Sequence, residues 1–321
     1  DAAGNVFVSG WFNSGSIDAD PGPGTHTLTT NGGQDLFMAK YSPSGNLIWA
    51  HSFGSSSFDD QAFVETDAAG NVFLAGRFFG TVDFDPGPGT TNLVSNGQSD
   101  IVIAKYDGSG NLQWANSYGG GSYDGSTGLA VTSDNDLIIN GWIDGSVDLG
   151  GGAISSLGSY DAFVARYDAS GNYVWATGFG SNNFDYTYDV CVDGGDNAFV
   201  TGNHGWTMNL GGNFIPAGLF TAKFDAATGA YAWHYAVEVG GGTNGSGQAV
   251  NITKDGDLYA TGIFRASADF DPSTGTNTLN PTGVDDGFVT KIACAGEGFL
   301  PPTPIPEINV CLLYTSDAAD D

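Results

Sequence analysis

The chain has little positive charge. Eight Lys and Arg stand against 36 Asp and Glu over 321 residues, a net charge of −28. A surface of that sign repels nucleic acid and anionic membranes, so neither is expected as a partner. Lys, Glu and Leu are too sparse to build many helices. No apolar stretch is long enough to span a bilayer as a helix. Cysteine is also scarce. Cys191, Cys294 and Cys311 lie far apart with no CxxC pair, which excludes a disulfide framework and a cysteine-based zinc site. His26, His51, His204 and His234 are not grouped at metal-ligand spacing. No Ser–His–Asp set stands out.

Glycine and aromatics are abundant. Fifty-one Gly and 13% aromatic residues favour strands joined by tight turns. Self-similarity organises them. The Gly closing the run VFLAG is Gly76, and its counterparts are Gly10, Gly141, Gly202 and Gly262, spaced by 66, 65, 61 and 60. Trp49, Trp114, Trp175 and Trp233 keep nearly the same beat. Within one period, QAFVET, VFLAGRF, DIVIAKY and LQWANSY are four short apolar runs separated by DAAGN, a Gly/Asp/Pro-rich excursion and DGSGN. That is the pattern of a four-stranded antiparallel meander. The runs carry bulky residues at odd and even positions, so both faces of each sheet are covered. Small sheets covered front and back and repeated along a chain are propeller blades. A solenoid normally uses shorter units.

The expected fold is therefore an all-β β-propeller of four-stranded antiparallel blades. About five are present, over 1–60, 61–125, 126–185, 186–245 and 246–293, with the first and last incomplete. The first lacks the innermost strand that would precede Asp1. The last lacks a fourth strand, because ACAGEGFLPPTPIP stands where GNLQW is due. Residues 294–310, with Pro301, Pro302, Pro304 and Pro306, read as a stiff linker. Residues 311–321 (CLLYTSDAADD) read as a translated sequencing adapter and are set apart from the fold. The chain opens in mid-repeat without Met, so further domains are expected on both sides.

The unit D-x-x-G-N-V-F-L-A-G … V-D-F-D-P-G-P-G … D-I-V-I-A-K-Y-D-x-x-G-N-L-x-W-A resembles the SBBP repeat of bacterial secreted and surface proteins, in the form common in Bacteroidota. The resemblance covers residues 1–293 and is strongest in the first two units. It implies an extracellular or cell-surface propeller and supplies no ligand, reaction or catalytic residue. Units four and five depart from it: MNLGGN replaces the acidic excursion in unit four, and unit five lacks the G-x-x-x-W ending.

Four features bear on chemistry. The turns that set Gly45 before Trp49, Gly110 before Trp114, Gly171 before Trp175 and Gly229 before Trp233 resemble the tryptophan-docking motif of quinoprotein propellers. Packing explains them: Gly takes the left-handed turn position and Trp lies across the next blade. The same turns resemble the sialidase Asp-box poorly, and the arginine cluster such an enzyme needs is missing. The excursions set Asp18 with Asp20, Asp83 with Asp85, and Asp269 with Asp271, pairs whose carboxylates point the same way. They can grip Ca²⁺, the one cofactor the sequence raises, or cap their own turns. Further acids recur as Asp35, Asp100, Asp161 and Asp286, and as Asp59, Asp124 and Asp185. Recurrence argues for structure, since a catalytic group appears once. Single-copy material lies in unit four, where His204, Trp206, His234 and Tyr235 either share a blade face that can bind a sugar or peptide or, the favoured account, reflect the divergence of an end-ward blade.

The sequence thus favours a non-enzymatic scaffold or binding module for an unknown protein or glycan, with no catalytic residue assigned. A quinoprotein-like oxidoreductase or a glycan-active hydrolase is the alternative.

Overall fold

A computed structural model describes residues 1–13, 15–239, 244–271 and 276–292, and 308–315 as backbone only. The described residues form strands and turns with no α-helix. The first sheet contains β1 (Val6–Phe12), β4 (Asp35–Tyr41) and β5 (Leu47–Phe53), with the ribbon β2 (Ser16–Asp18) and β3 (Thr27–Thr29) set between. Next come β6 (Asp60–Thr66), β7 (Val72–Asp83), β8 (Asn92–Tyr106) and β9 (Leu112–Tyr118). The third sheet is β10 (Gly125–Val131), β11 (Leu137–Asp148), β12 (Ala153–Tyr167) and β13 (Tyr173–Phe179). The fourth is β14 (Asp185–Val192), β15 (Ala198–His204), β18 (Gly218–Phe224) and β19 (Tyr231–Glu238), with a ribbon of β16 (Met208–Leu210) and β17 (Asn213–Ile215). The fifth is β20 (Gly245–Ile252), β21 (Leu258–Phe264), β24 (Asp286–Ile292) and β25 (Ile308–Thr315), with the ribbon β22 (Ala268–Asp269) and β23 (Thr278–Leu279). In every sheet the strands follow chain order. The fold is all-β, built from propeller-type blades.

The last blade departs from expectation. Its fourth strand exists, taken from residues read as linker and tail: β25 pairs antiparallel with β24, Ile292 opposite Ile308 and Asp286 opposite Thr315. The physical reason is propensity. INVCLLYT is an apolar, partly β-branched run, and β24 offers an unpaired edge. The rest of the expected linker, 294–307, and the tail beyond 315 lie outside the described residues.

The hairpins explain the D-x-x-G-N signature. In the second blade Asp67 Oδ1 accepts the N–H groups of Ala69 (3.0 Å) and Asn71 (2.9 Å), and Asn71 Nδ2 returns a bond to Asp67 Oδ2. Gly70 takes φ +82°, the left-handed position that closes such a turn. A bulge marks the first strand of four blades, at Gln61, Thr127, Tyr188 and Gln248. This bulge accounts for the glycine landmark. A β-carbon on Gly76, Gly202 or Gly262 would collide with the carbonyl of Gln61, Tyr186 or Ser246 on the bulged strand.

The chain divides into two compact units, 1–155 with 165–176, and 156–164 with 177–321. In the first, Leu36, Met38, Trp49 and Phe53 of one blade pack on Val72, Leu74, Phe84 and Tyr106 of the next, all buried. Phe53 stacks on Phe84 with ring centroids 5.6 Å apart. In the second, Phe199, Leu219, Tyr235 and Val237 meet Leu258, Phe264, Phe270 and Phe288. Each such side chain contributes about 1.5–3 kcal/mol by leaving water. Tyrosines pin the excursions of the first, second, third and fifth blades, the last of them from the fourth sheet. Tyr41, Tyr106, Tyr167 and Tyr235 donate to the carbonyls of Ala19, Phe84, Leu149 and Phe270 at 2.9–3.0 Å.

Candidate functional site

The acidic excursions bond to themselves. Asp83 Oδ1 accepts the N–H groups of Asp85 (3.0 Å) and Thr91 (2.7 Å), and Asp85 Oδ1 that of Gly87. Asp18 bonds Asp20 and His26, Asp20 bonds Gly22, and Asp269 bonds Asp271 and Asn277 in the same way. Donation by His26 and Asp20 holds the Asp18 carboxyl below its ordinary range. This is the geometry of capped turns. Among the described residues no three His, Cys, Asp or Glu gather to hold a metal.

The two recurrent Asp series meet at the junctions between blades. Asp59 Oδ2 accepts from Ser55 N (2.6 Å), and its Oδ1 accepts from Phe79 N (2.7 Å). Asp124 bonds Gly120 and Asp144 in the same places, and Asp185 bonds Ser181. Asp35, Asp100 and Asp161 each accept an N–H four residues upstream and keep the other oxygen buried without a partner. Their carboxyls lie over Gly54, Gly119 and Gly180, where any side chain would collide. Burial raises all six above the ordinary carboxylate range, most in the second series: Asp124 to about 6 and Asp185 to about 7, with the charge of Asp100 or Asp161 adding to the effect. One carboxylate environment repeated from blade to blade is a structural device.

The cations are committed too. Every Lys and Arg pairs with an Asp: Lys40 with Asp1, Arg77 with Asp60, Lys105 with Asp67, Arg166 with Asp136, Lys223 with Asp193, Lys254 with Asp255, Arg265 with Asp285 and Lys291 with Asp257. Lys40, Lys105, Lys223 and Lys291 also lie over the ring of Phe7, Phe73, Phe199 or Tyr259. The Trp positions are architectural as well. Trp49 Nε1 donates to Gly108 O (3.3 Å) and Trp114 Nε1 to Ala169 O (3.2 Å). Trp49 backs onto Gly110, and Trp114 onto Gly171. Trp175 is buried, and Trp233 lies edge-on to Phe199 at 5.8 Å. Gly45, Gly110, Gly171 and Gly229 have φ of +81°, +84°, +81° and +67°.

The single-copy residues of unit four separate only in part: the register sets His204 and His234 on one face of the sheet and Tyr235 on the other. Opposite β18, His204 pairs with Gly218 and His234 with Ala222, four residues apart, or roughly 13 Å along a strand. His204 is buried with Nδ1 bound to Trp206 O, while Trp206 is 59% exposed. His234 Nδ1 meets Tyr231 Oη at 2.6 Å, and Tyr235 is buried. Burial lowers both histidines below their usual range.

Shortening the excursion to MNLGGN has an effect the sequence reading missed. Gly211 (φ +61°) and Gly212 (φ +88°) make a two-residue turn whose tip rests on Tyr231. Beside it lies an open cleft of about 370 Å³ in the second unit, lined by Leu157, Thr177, Phe179, Asn209, Gly229 and Tyr231, among others. Among the described residues Tyr231 is its one ionisable lining residue. Thr177 Oγ1 donates to Gly229 O, and Asn209 Oδ1 accepts from Gly212 N. Such a wall can hydrogen-bond and stack, but it holds no acid and base pair.

Leading away from the cleft, residues 181–188 bring up a second missed feature. Tyr160 lies 5.5 Å from Phe184 and 5.8 Å from Tyr186, ring centre to ring centre; Phe184 and Tyr186 are 6.4 Å apart and parallel, and Tyr188 follows 6.3 Å beyond. Phe184 is 43% exposed and the three tyrosines are half-buried. The signal was in the sequence, as Tyr160, Tyr186 and Tyr188 stand at positions where other units have no aromatic.

No family model matches the chain. An uncharacterized WD repeat-containing protein of Acanthamoeba polyphaga mimivirus is 24% identical over 244 residues, 61% of this chain and 18% of that protein. WD repeats are units of four strands that form propeller blades. Regulatory protein FlaEY of Caulobacter vibrioides is 28% identical over 278 residues, 82% of this chain and 29% of that protein. The chain therefore spans less than a third of either relative. Among solved structures, a protein of unknown function from Bacteroides caccae aligns over 88% of this chain and 82% of its own, with 7% identity and a TM-score of 0.42. Quinohemoprotein alcohol dehydrogenase from Comamonas testosteroni aligns over 88% and 46%, with 13% identity and a TM-score of 0.45. Neither likeness bears on the site.

Proposed function

We propose that this chain is a non-enzymatic binding and scaffolding module of a larger secreted or cell-surface bacterial protein, its blades being repeats of the SBBP type. The observation that carries the reading is where ionisable groups stand. The recurrent carboxylates bond backbone N–H groups, the cations are ion-paired, and the cleft of the second unit is lined by backbone, apolar groups, the uncharged side chains of Thr177, Thr228 and Asn209, and one tyrosine. A propeller oxidoreductase or hydrolase needs single-copy carboxylates, an arginine cluster or a metal centred in a cleft. The acidic, ion-paired exterior suits a protein that meets partners outside the cell.

The test is turnover against binding. Purified chain is incubated with oligosaccharides and, separately, with pyrroloquinoline quinone, Ca²⁺, alcohols and an electron-accepting dye. The proposal expects no released reducing ends and no dye bleaching above a boiled control. Sustained turnover in either assay, lost on a cleft substitution such as Tyr231→Phe, refutes it.

A further inference from the structure

The repeats serve as internal controls, because a residue type that the blade requires appears in several blades. Tyr160 stands where the first two blades have Gln34 and Ser99. Tyr186 stands where they have Asp60 and Gly125. Tyr188 occupies the bulge that holds Gln61, Thr127 and Gln248 elsewhere. Trp206 lies four residues past the landmark glycine, at the place of Gly80, Gly145 and Ala266. Blades thus form without an aromatic at any of these positions. Only Phe184 has aromatic counterparts, Phe58 and Tyr123.

In the second unit these substitutions converge. Tyr160, Phe184, Tyr186 and Tyr188 make a row of rings with neighbouring centres 5.5–6.4 Å apart. Gly205 joins Trp206 to the row: its N–H donates to Phe184 O, and a β-carbon on it would strike the Asn183 side chain. At the equivalent place in the first unit, Arg77 covers the rings of Phe79 and Trp142 at 5.4 and 5.5 Å and is itself held by Asp60. That place carries a paired cation over its rings, with Tyr123 left part exposed beside Phe79; the row in the second unit is rings alone.

The side chains that lead into the row are neutral, and at its Tyr188 end the charge of Arg265 is matched by its ion pair with Asp285. Ser181, Asn182 and Asn183 lead into it, and Ser159 precedes Tyr160. The one carboxylate within it, Asp185, is buried and bonded to Ser181. In a chain of net charge −28, a half-exposed aromatic row bordered by amides and hydroxyls is a local exception. Rings supply flat apolar faces for the C–H faces of a pyranose, and amides and phenols bond its hydroxyls. An anionic polymer is repelled by the surrounding field, and a cationic one finds no exposed carboxylate in the row to pair with.

We infer that the row Tyr160–Phe184–Tyr186–Tyr188, extended by Trp206, is a binding platform for a neutral polysaccharide. Residues 177–180 line the cleft and 181–188 follow them in the chain. The inference rests on the binding-module reading and gives it a ligand class.

The experiment titrates the intact chain with cello-, laminari- and xylo-oligosaccharides by calorimetry, with polygalacturonate and oligolysine as charged controls. At least one neutral glycan is expected to bind. Phe184→Ser, Tyr186→Ser and Trp206→Ser should each weaken it roughly tenfold or more. Phe58→Ser and Tyr123→Ser, made at the corresponding positions of other blades, should leave it unchanged. Unfolding curves identify variants that fail to fold; Tyr186→Leu then replaces Tyr186→Ser, keeping bulk and losing the ring. The inference is overturned if no neutral glycan binds, if the row variants bind like the unaltered chain, or if oligolysine alone binds through the row. That last outcome leaves the binding-module reading standing, whereas cleavage of a bound glycan keeps the platform and overturns the non-enzymatic reading.

Discussion

Asp185 allows the junction carboxylates to be weighed. It is fully buried and accepts bonds from the Ser181 N–H and hydroxyl, yet burial and the nearby Asp161 raise its pKa from 3.8 to about 7. A carboxyl whose folded pKa lies above its unfolded value binds its proton more tightly when folded. Its stabilising effect is complete below about pH 4 and is lost as the pH rises through 7. A shift of about three pK units corresponds to roughly 4 kcal/mol, a large fraction of the 5–15 kcal/mol typical of a domain. Asp185→Asn removes the charge at every pH and still accepts from Ser181 N, while losing part of the remaining bonding for about 1–3 kcal/mol. The variant should therefore be less stable than the unaltered chain at pH 4.5 and equal or more stable at pH 8. Urea unfolding across that range measures both. The difference curve matters, because the repulsion of the other acids is common to the two proteins. A difference that does not change with pH refutes the assignment.

Other outcomes follow from the same geometry. Gly76→Ala places a methyl on the Gln61 carbonyl of the bulged strand and should cost about 2 kcal/mol or more, read as a fall in the urea midpoint. Tyr106→Phe removes the 3.0 Å bond to Phe84 O and should cost about 1 kcal/mol without changing the fold. Because Asp83, Asp18 and Asp269 already cap their own turns, the melting temperature should be the same in excess calcium and in chelator; a rise of several degrees in calcium would show that the excursions bind the ion.

Much of the fold was legible because it rests on residues that sterics forbid to vary. Gly76 is visible as a landmark because a carbonyl occupies the space of its side chain, and Asp67 and Asn71 are visible because their side chains build the turn. The Lys and Trp positions recur for the same kind of reason. β25 was not legible: its run follows four prolines, and what draws it into the sheet is the open edge of β24, which is not local. The excursions displayed paired carboxylates but not the N–H groups those oxygens accept, so a calcium grip and a capped turn looked alike. The aromatic row was hidden differently. Tyr160, the 184–188 segment and Trp206 belong to stretches that meet only in space, and their clue was a departure from the repeat.

That departure is the core of the account: what recurs builds blades, and what occurs once meets the ligand. Hydrogen–deuterium exchange on the chain with and without a saturating neutral oligosaccharide tests it most directly. The account predicts slowed exchange confined to peptides covering 157–160, 177–188 and 204–206. Protection centred on the Asp-Pro-Gly excursions, or no protection anywhere, would contradict it.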